Sequence, residues 1–179
     1  DNGDIFNFGF ERSLKPKLLV YRLNKDGNLI TKGHAELDAP NMIHDAVLAG
    51  KYLIIMKYAT KFNFMDMKIK SIHDCYQWKP ELGTEIYVFD KETLALVKSW
   101  NYKEAFYSFH YTNGYEDSDG TVVVEFVKYR DFSHVHSFLS NYPKAKDDAN
   151  RFVVTSYLIT FPPQIPIHML PDLSFTSAL

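Results

Sequence analysis

Among the 179 residues of this chain, the seven histidines are the side chains best suited to chemistry, because neutral imidazole can serve as ligand, base or proton shuttle. Two of them share a setting. His44 stands in Asn41-Met42-Ile43-His44-Asp45-Ala46-Val47-Leu48, and His110 stands 66 positions later in Phe106-Tyr107-Ser108-Phe109-His110-Tyr111. Each is embedded in an apolar run that reads as a core β-strand. An imidazole there is either a satisfied core group donating to a backbone carbonyl or a ligand. Pattern alone does not separate the two, and both readings expect the ring to face the interior. Two neutral donors without a carboxylate suit a borderline metal such as ferrous iron, zinc or copper.

The other histidines are weaker candidates. His34 lies in a strand and reads as solvent-facing, and His168 falls in a proline-rich stretch. His73-Asp74-Cys75 has ligand residue types, but adjacent residues in a loop rarely converge on one ion. The pair His134 and His136 has a recognised ligand spacing on a strand. Ser133 and Ser137 around it read instead as a helix start, where positions i and i+2 diverge. No Gly-x-Ser-x-Gly turn or phosphate-binding glycine loop occurs, and Cys75 has no positioned base apart from nearby His73. Enzymatic chemistry, if present, falls to a metal.

The elements that must position these residues read as short antiparallel strands. Residues 17–23 and 29–37 form a hairpin about the turn Asn24-Lys25-Asp26-Gly27-Asn28, and Pro40 breaks the chain before the His44 strand. Gly50-Lys51 then turns into Tyr52-Leu53-Ile54-Ile55-Met56-Lys57, continuous enough to be a central strand buried on both faces. Residues 58–80 read as a long excursion holding Phe62, Phe64, Met65 and Met67. Strands resume at 83–89, 94–102, the His110 segment and 121–129. Residues 132–139 suggest one or two helical turns, and 151–161 a last strand. Hairpin, histidine strand and apolar strand recur over about 60 to 70 residues, longer than the roughly 40 to 50 of one propeller blade. Meanders without helix-period segments favour an all-β propeller or barrel.

Composition agrees with a globular sheet protein. The chain is 46% hydrophobic and 23% charged, and its 14 Phe and 12 Tyr favour strand over helix. A formal charge of −2 offers no basic surface, so no nucleic-acid partner is expected. The single Cys75 rules out an internal disulfide and is compatible with a reducing compartment such as the cytoplasm. No apolar run approaches the roughly 20 residues that span a bilayer. The chain opens on Asp1-Asn2-Gly3-Asp4 feeding a strand and stops inside an apolar stretch. The expectation is a single domain, residues 1–179, truncated at both ends.

Four separated stretches resemble the carotenoid cleavage oxygenase family, in that family's order and at about its spacings. They are Gly3-Asp4-Ile5-Phe6-Asn7-Phe8-Gly9, Met42-Ile43-His44-Asp45, Trp78-Lys79-Pro80-Glu81-Leu82-Gly83-Thr84 and Phe109-His110-Tyr111-Thr112-Asn113-Gly114-Tyr115-Glu116. The resemblance implies part of a seven-bladed β-propeller of antiparallel meander blades. It implies a non-haem Fe(II) cofactor held by four histidines, of which His44 and His110 match the second and third, with the first and fourth outside this chain. The glutamates that hold the ligand imidazoles in the family also fall outside the matched stretches, so none of Glu36, Glu81, Glu85 or Glu116 takes that role.

The implied activity is cleavage of a carbon-carbon double bond in a carotenoid or apocarotenoid with O2, giving aldehyde or ketone products. Family alternatives are stilbene cleavage and an iron-assisted isomerisation with ester cleavage; outside catalysis, the alternative is a propeller module that binds apolar polyenes. An apolar polyene and O2 are the expected partners, with Phe106, Tyr107 and Phe109 as substrate-lining candidates that could equally be core. Phe62, Phe64, Met65 and Met67, flanked by Lys57, Lys61, Lys68 and Lys70, make a candidate peripheral membrane contact, the alternative being a loop packed on the propeller rim. Ala49, the displaced Lys91 and Gly114 depart from the family pattern without touching a ligand. The isolated chain, with two of four ligands, is expected to be inactive and not a stable monomer.

Overall fold

The strand Tyr52–Lys57 organises the structure, a computed structural model that describes residues 2–11, 13, 15–133, 135, 155–161 and 176–178, the last two segments as backbone. Its side chains alternate between two separate cores. Leu53 and Ile55 enter one, Ile54 and Met56 the other, and all four are buried. An uninterrupted apolar run is what a strand needs when both its faces are covered.

In chain order the strands are β1 (Ile5–Glu11), β2 (Lys17–Leu23), β3 (Leu29–Glu36), β4 (Val47–Ala49), β5 (Tyr52–Lys57), β6 (Thr60–Phe62), β7 (Tyr76–Trp78), β8 (Thr84–Asp90), β9 (Leu96–Tyr102), β10 (Tyr111–Glu116), β11 (Val122–Lys128), β12 (Thr155–Phe161) and β13 (Thr176–Ala178). They form three antiparallel sheets, ordered β1-β2-β3, β4-β5-β8-β9 and β10-β11-β12-β13, with β6 and β7 paired as a separate ribbon between β5 and β8.

The first core lies between the first and second sheets, where Leu18 and Val20 of β2 meet Leu53, Ile55, Tyr87 and Phe89. Between the second and third sheets lies the other core, in which Ile54, Met56, Ile86 and Val88 meet Val122, Val124 and Phe126. β8 thus repeats the alternation of β5, and the middle sheet is sandwiched face to face by its neighbours. Each fully buried aliphatic side chain contributes about 1.5–3 kcal/mol. Interlocking at two faces fixes the angle at which the sheets follow one another.

The sheets also touch at their rims. Arg22 Nε donates to Asp4 Oδ2 at 2.7 Å and its Nη1 reaches Glu92, joining β1, β2 and the β8–β9 turn. Beside that clamp, a Cβ at Gly33 would collide with the carbonyl oxygen of Leu94. Leu94 is itself buried with φ +55°, a left-handed conformation rare for leucine, and cannot easily yield. Gly33→Ala is therefore expected to cost about 1–3 kcal/mol, read as a lower urea midpoint.

The excursion is an ordered antiparallel ribbon, Thr60 opposite Trp78 and Phe62 opposite Tyr76, closed by 3-10 turns at Asp66–Lys68 and Ile72–Cys75. Phe62 is buried against Phe64 and Tyr76, with ring centroids 5.0 and 4.8 Å away. Lys57 is occupied with Asp38 at 2.6 Å and Glu85 at 3.2 Å. Phe62 and Lys57 therefore leave the expected surface patch. Phe64, Met65, Met67, Ile69 and Ile72 are 53–83% exposed and form the apolar tip instead. The residues 136–139 and 151–154 lie outside the described residues. No helix among the described residues is long and apolar enough to cross a membrane.

Candidate metal centre

Strands β4 and β10 are edge strands of neighbouring sheets, and the two edges run side by side. A Cβ at Gly114 would lie 2.6 Å from the Leu48 carbonyl oxygen and from Val47 Cγ2, and one at Gly50, where φ is +57°, would strike the Glu116 side chain. At the start of this seam the amide of Tyr111 donates to Asp45 Oδ2 at 3.1 Å, a pair 66 positions apart. Leu48 with Gly114 and Gly50 with Glu116 keep that same offset, so His44 and His110 occupy equivalent positions on adjacent sheets. The rings meet there edge-on, with centroids 5.1 Å apart and planes at 82°.

Local sequence sets each ring. Upstream of His44, the buried Asn41 donates to the carbonyls of Tyr58 at 2.8 Å and Thr60 at 3.1 Å, and its Oδ1 accepts from the Tyr58 amide at 3.2 Å. Ile43 is buried in the first core, and Asp45 Oδ1 accepts the Ala46 amide at 2.8 Å just before β4 begins. On the other side, the His110 carbonyl accepts from Ser108 Oγ at 3.1 Å and from the Val127 amide at 3.2 Å. Tyr107 and Tyr129 exchange backbone hydrogen bonds in both directions. Four hydrogen bonds thus fix the backbone that leads into His110.

The interior-facing rings expected from sequence are corrected. Both histidines are exposed, the His110 side chain to 66%. The reason is that 41–46 and 106–110 run beyond the regular ladders, and each histidine comes just before its strand rather than inside it. Phe109 stands edge-on to His44 at 5.4 Å, whereas Phe106 and Tyr107 are fully buried, Phe106 stacked on Phe126 at 5.2 Å. Behind the site, the Tyr111 hydroxyl accepts the Met56 amide at 3.0 Å, two residues past the last β4 partner on β5. Burial above all pushes the Tyr58 and Tyr111 phenols well up, so both stay neutral.

The centroid separation lies within the range that one shared ion would require. An imidazole bound at about 2.1 Å holds its centroid about 3.2 Å from a metal, so two cis rings at about 90–110° have centroids about 4.5–5.3 Å apart. Among the described residues no group of three or more His, Cys, Asp or Glu could hold an ion, so those residues offer the His44–His110 pair and no complete site. His73, Asp74 and Cys75 lie on one 3-10 turn, with the Cys75 thiol buried and donating to the Ser71 carbonyl at 3.3 Å. His34 is exposed on β3, and His134 and His136 lie outside the described residues. Sequence reasoning passed over Asn41 and Asp45; a lone amide in an apolar run and the constant offset of 66 were the available signals.

Successive meander sheets packed face to face, with equivalent histidines where neighbouring edges begin, define part of a β-propeller with a candidate metal position at its strand ends. The chain belongs to the carotenoid cleavage oxygenase family: residues 1–166 match the family model described as retinal pigment epithelial membrane protein. It is 28% identical over 156 residues to the mitochondrial carotenoid-cleaving dioxygenase of Mustela putorius furo, covering 78% of this chain and 28% of that protein. It is 30% identical over 95 residues to the enzyme of that name from Pongo abelii, covering 50% and 17%. In fold it is similar to cobalt-substituted Synechocystis ACO, with a TM-score of 0.70, 17% identity, and coverage of 88% of this chain and 32% of that one. An ACO/RPE65 chimera gives a TM-score of 0.72 at 16% identity, covering 97% and 34%. The chain thus spans about a third or less of these relatives, and the expected all-β propeller architecture is borne out.

Proposed function

We propose that the protein carrying this chain is an Fe(II)-dependent dioxygenase that cleaves a carbon-carbon double bond of a carotenoid or apocarotenoid, with His44 and His110 as two of its metal ligands. The observation that carries this reading is the approach of two histidines from equivalent positions of adjacent sheets to a separation that one ion can bridge. Family membership supplies the reaction class. The chemistry such an ion supplies when bound is oxidative, both atoms of O2 entering the two carbonyl products.

The residues of this chain contribute charge and position. Neutral imidazoles leave a bound cation its full charge, which a carboxylate ligand would offset. The carboxylate of Asp45 lies 3.8 Å from Nδ1 of His110, beside the ring but beyond a hydrogen bond. Phe109 covers one edge of His44 and offers an apolar surface to a polyene chain. Incubation with an apocarotenoid under 18O2 tests the reaction. Label in both carbonyl products supports double-bond cleavage. An isomerised, ester-cleaved product without label would replace it with the non-oxidative reading, and iron without turnover or no iron would favour the polyene-binding module.

Delivery of so apolar a substrate favours contact with a membrane. The exposed tip formed by Phe64, Met65, Met67, Ile69 and Ile72, with Lys61 and Lys68 exposed beside it, suits an anionic interface. Met65→Asp with Met67→Asp is expected to abolish co-sedimentation with anionic liposomes while leaving the packing of Phe62 on Phe64 and Tyr76 and the unfolding midpoint in place. Undiminished co-sedimentation would assign the tip another role.

A further inference from the structure

The carboxylate of Asp45 joins the two histidine segments. Its Oδ1 accepts the Ala46 amide at 2.8 Å, just before the strand that follows His44, and its Oδ2 accepts the Tyr111 amide at 3.1 Å, at the start of the strand that follows His110. Both oxygens are thus spent on backbone amides, one beside each of the two sheet edges, and each donating residue is one or two positions from a histidine. β4 and β10 belong to different sheets and share no ladder. The seam between them is otherwise made by the close approaches at Gly114 and Gly50, several residues farther along. At the histidine end, Asp45 is the side chain seen to cross between the two edges by hydrogen bond.

We propose that Asp45 is a positioning residue, a carboxylate tie that sets the distance and mutual orientation of the His44 and His110 rings before any metal arrives. This rests on the metal reading above for its purpose but not for its geometry. A hydrogen bond from an amide to a carboxylate is stronger than one between neutral groups. It acts on backbone, so it carries the whole His110 residue rather than one torsion of its ring. The ring nitrogen nearer the carboxylate, Nδ1, is 3.8 Å from Oδ2, beyond a hydrogen bond. The tie therefore works through the Tyr111 amide, with His44 held by covalent attachment and His110 by the peptide that follows it. Asparagine at this position would keep the volume but have one acceptor oxygen for two amides.

The test uses the intact protein that carries this chain, metal-free and cobalt(II)-loaded, as wild type, Asp45→Asn and Asp45→Ala. In the metal-free protein, mass-spectrometric hydrogen exchange resolved at Tyr111 is expected to accelerate about tenfold or more in Asp45→Ala, with Asp45→Asn between the two, while Val124 in β11 keeps its wild-type rate. In the loaded protein, the visible cobalt d–d bands are expected to shift and the cobalt dissociation constant to rise about tenfold in Asp45→Ala, with Asp45→Asn again intermediate. A purely structural loss of stability would lower the unfolding midpoint without moving the bands of the folded, loaded protein. Unchanged exchange at Tyr111 in Asp45→Ala overturns the tie. Faster exchange with unaltered bands and affinity overturns its positioning role. A wild-type protein that takes up no cobalt overturns the metal reading and with it the purpose of the tie, while exchange at Tyr111 still decides whether the tie exists.

Discussion

His44→Ala and His110→Ala, made in the protein that carries this chain, are each expected to reduce turnover of an apocarotenoid by at least about a thousandfold and to remove stoichiometric iron. The size follows from the donor set. In the proposed centre each imidazole would supply one of few ligands to a cation that must keep open positions, and removing a ligand would remove the ion as well as the geometry. Both side chains are exposed at strand starts and neither fills a core. Their truncation should therefore leave the stability of the metal-free protein within about 0.5 kcal/mol of metal-free wild type. A variant that stays folded, loses iron and loses activity separates a ligand from a structural histidine. Full activity in either would remove that residue from the centre.

Asn41→Asp is expected to be the most damaging single change to the fold near the site, costing about 3–5 kcal/mol. Asn41 is buried and serves three backbone groups of the β5–β6 junction, two as donor and one as acceptor. The aspartate has almost the same shape but no donors, and it sets carboxylate oxygens against the carbonyls of Tyr58 and Thr60. A buried charge without a counter-ion, set against two carbonyl oxygens, accounts for the magnitude. Asn41→Ala removes the same three hydrogen bonds without the charge, the Tyr58 carbonyl keeping the Thr60 amide at 2.7 Å, and should cost less, about 2–3 kcal/mol. Chemical denaturation of the three proteins gives the order directly. The same lesion should reach the metal centre, because Asn41 lies three residues before His44, and iron affinity should fall with stability in this series.

Much of the architecture is legible in the chain because its strands obey simple rules. The run Tyr52–Lys57 has no polar alternation, which requires cover on both faces, and β5 indeed serves two cores. The hairpin of β2 and β3 about Gly27, with φ +82°, follows from turn chemistry alone. What the residues do not reveal is how separate sheets meet. Gly33 against Leu94 and Gly114 against Leu48 are contacts between elements 61 and 66 positions apart, and no local preference encodes them.

The same division runs through the site. His44 and His110 are conspicuous because imidazole interrupts apolar runs, but the periodic pattern placed them inside strands with buried rings. They sit instead at strand starts, exposed, where backbone leaves the ladder and side chains are free to converge. Asp45 carries no local signal of its role, since its partner Tyr111 is remote in sequence. Phe62 was grouped with Phe64, Met65 and Met67 by proximity, and only ribbon pairing with Tyr76 turns it inward.

Metal analysis of the intact, purified protein, by mass spectrometry of acid-digested wild type beside His44→Ala and His110→Ala, addresses the central claim most directly. The expected result is one iron per wild-type chain and less than about a tenth of that in either variant at equal folded fraction. Equal iron in all three, or none in a folded wild type reconstituted anaerobically with Fe(II), would contradict the assignment of His44 and His110 to a shared metal centre.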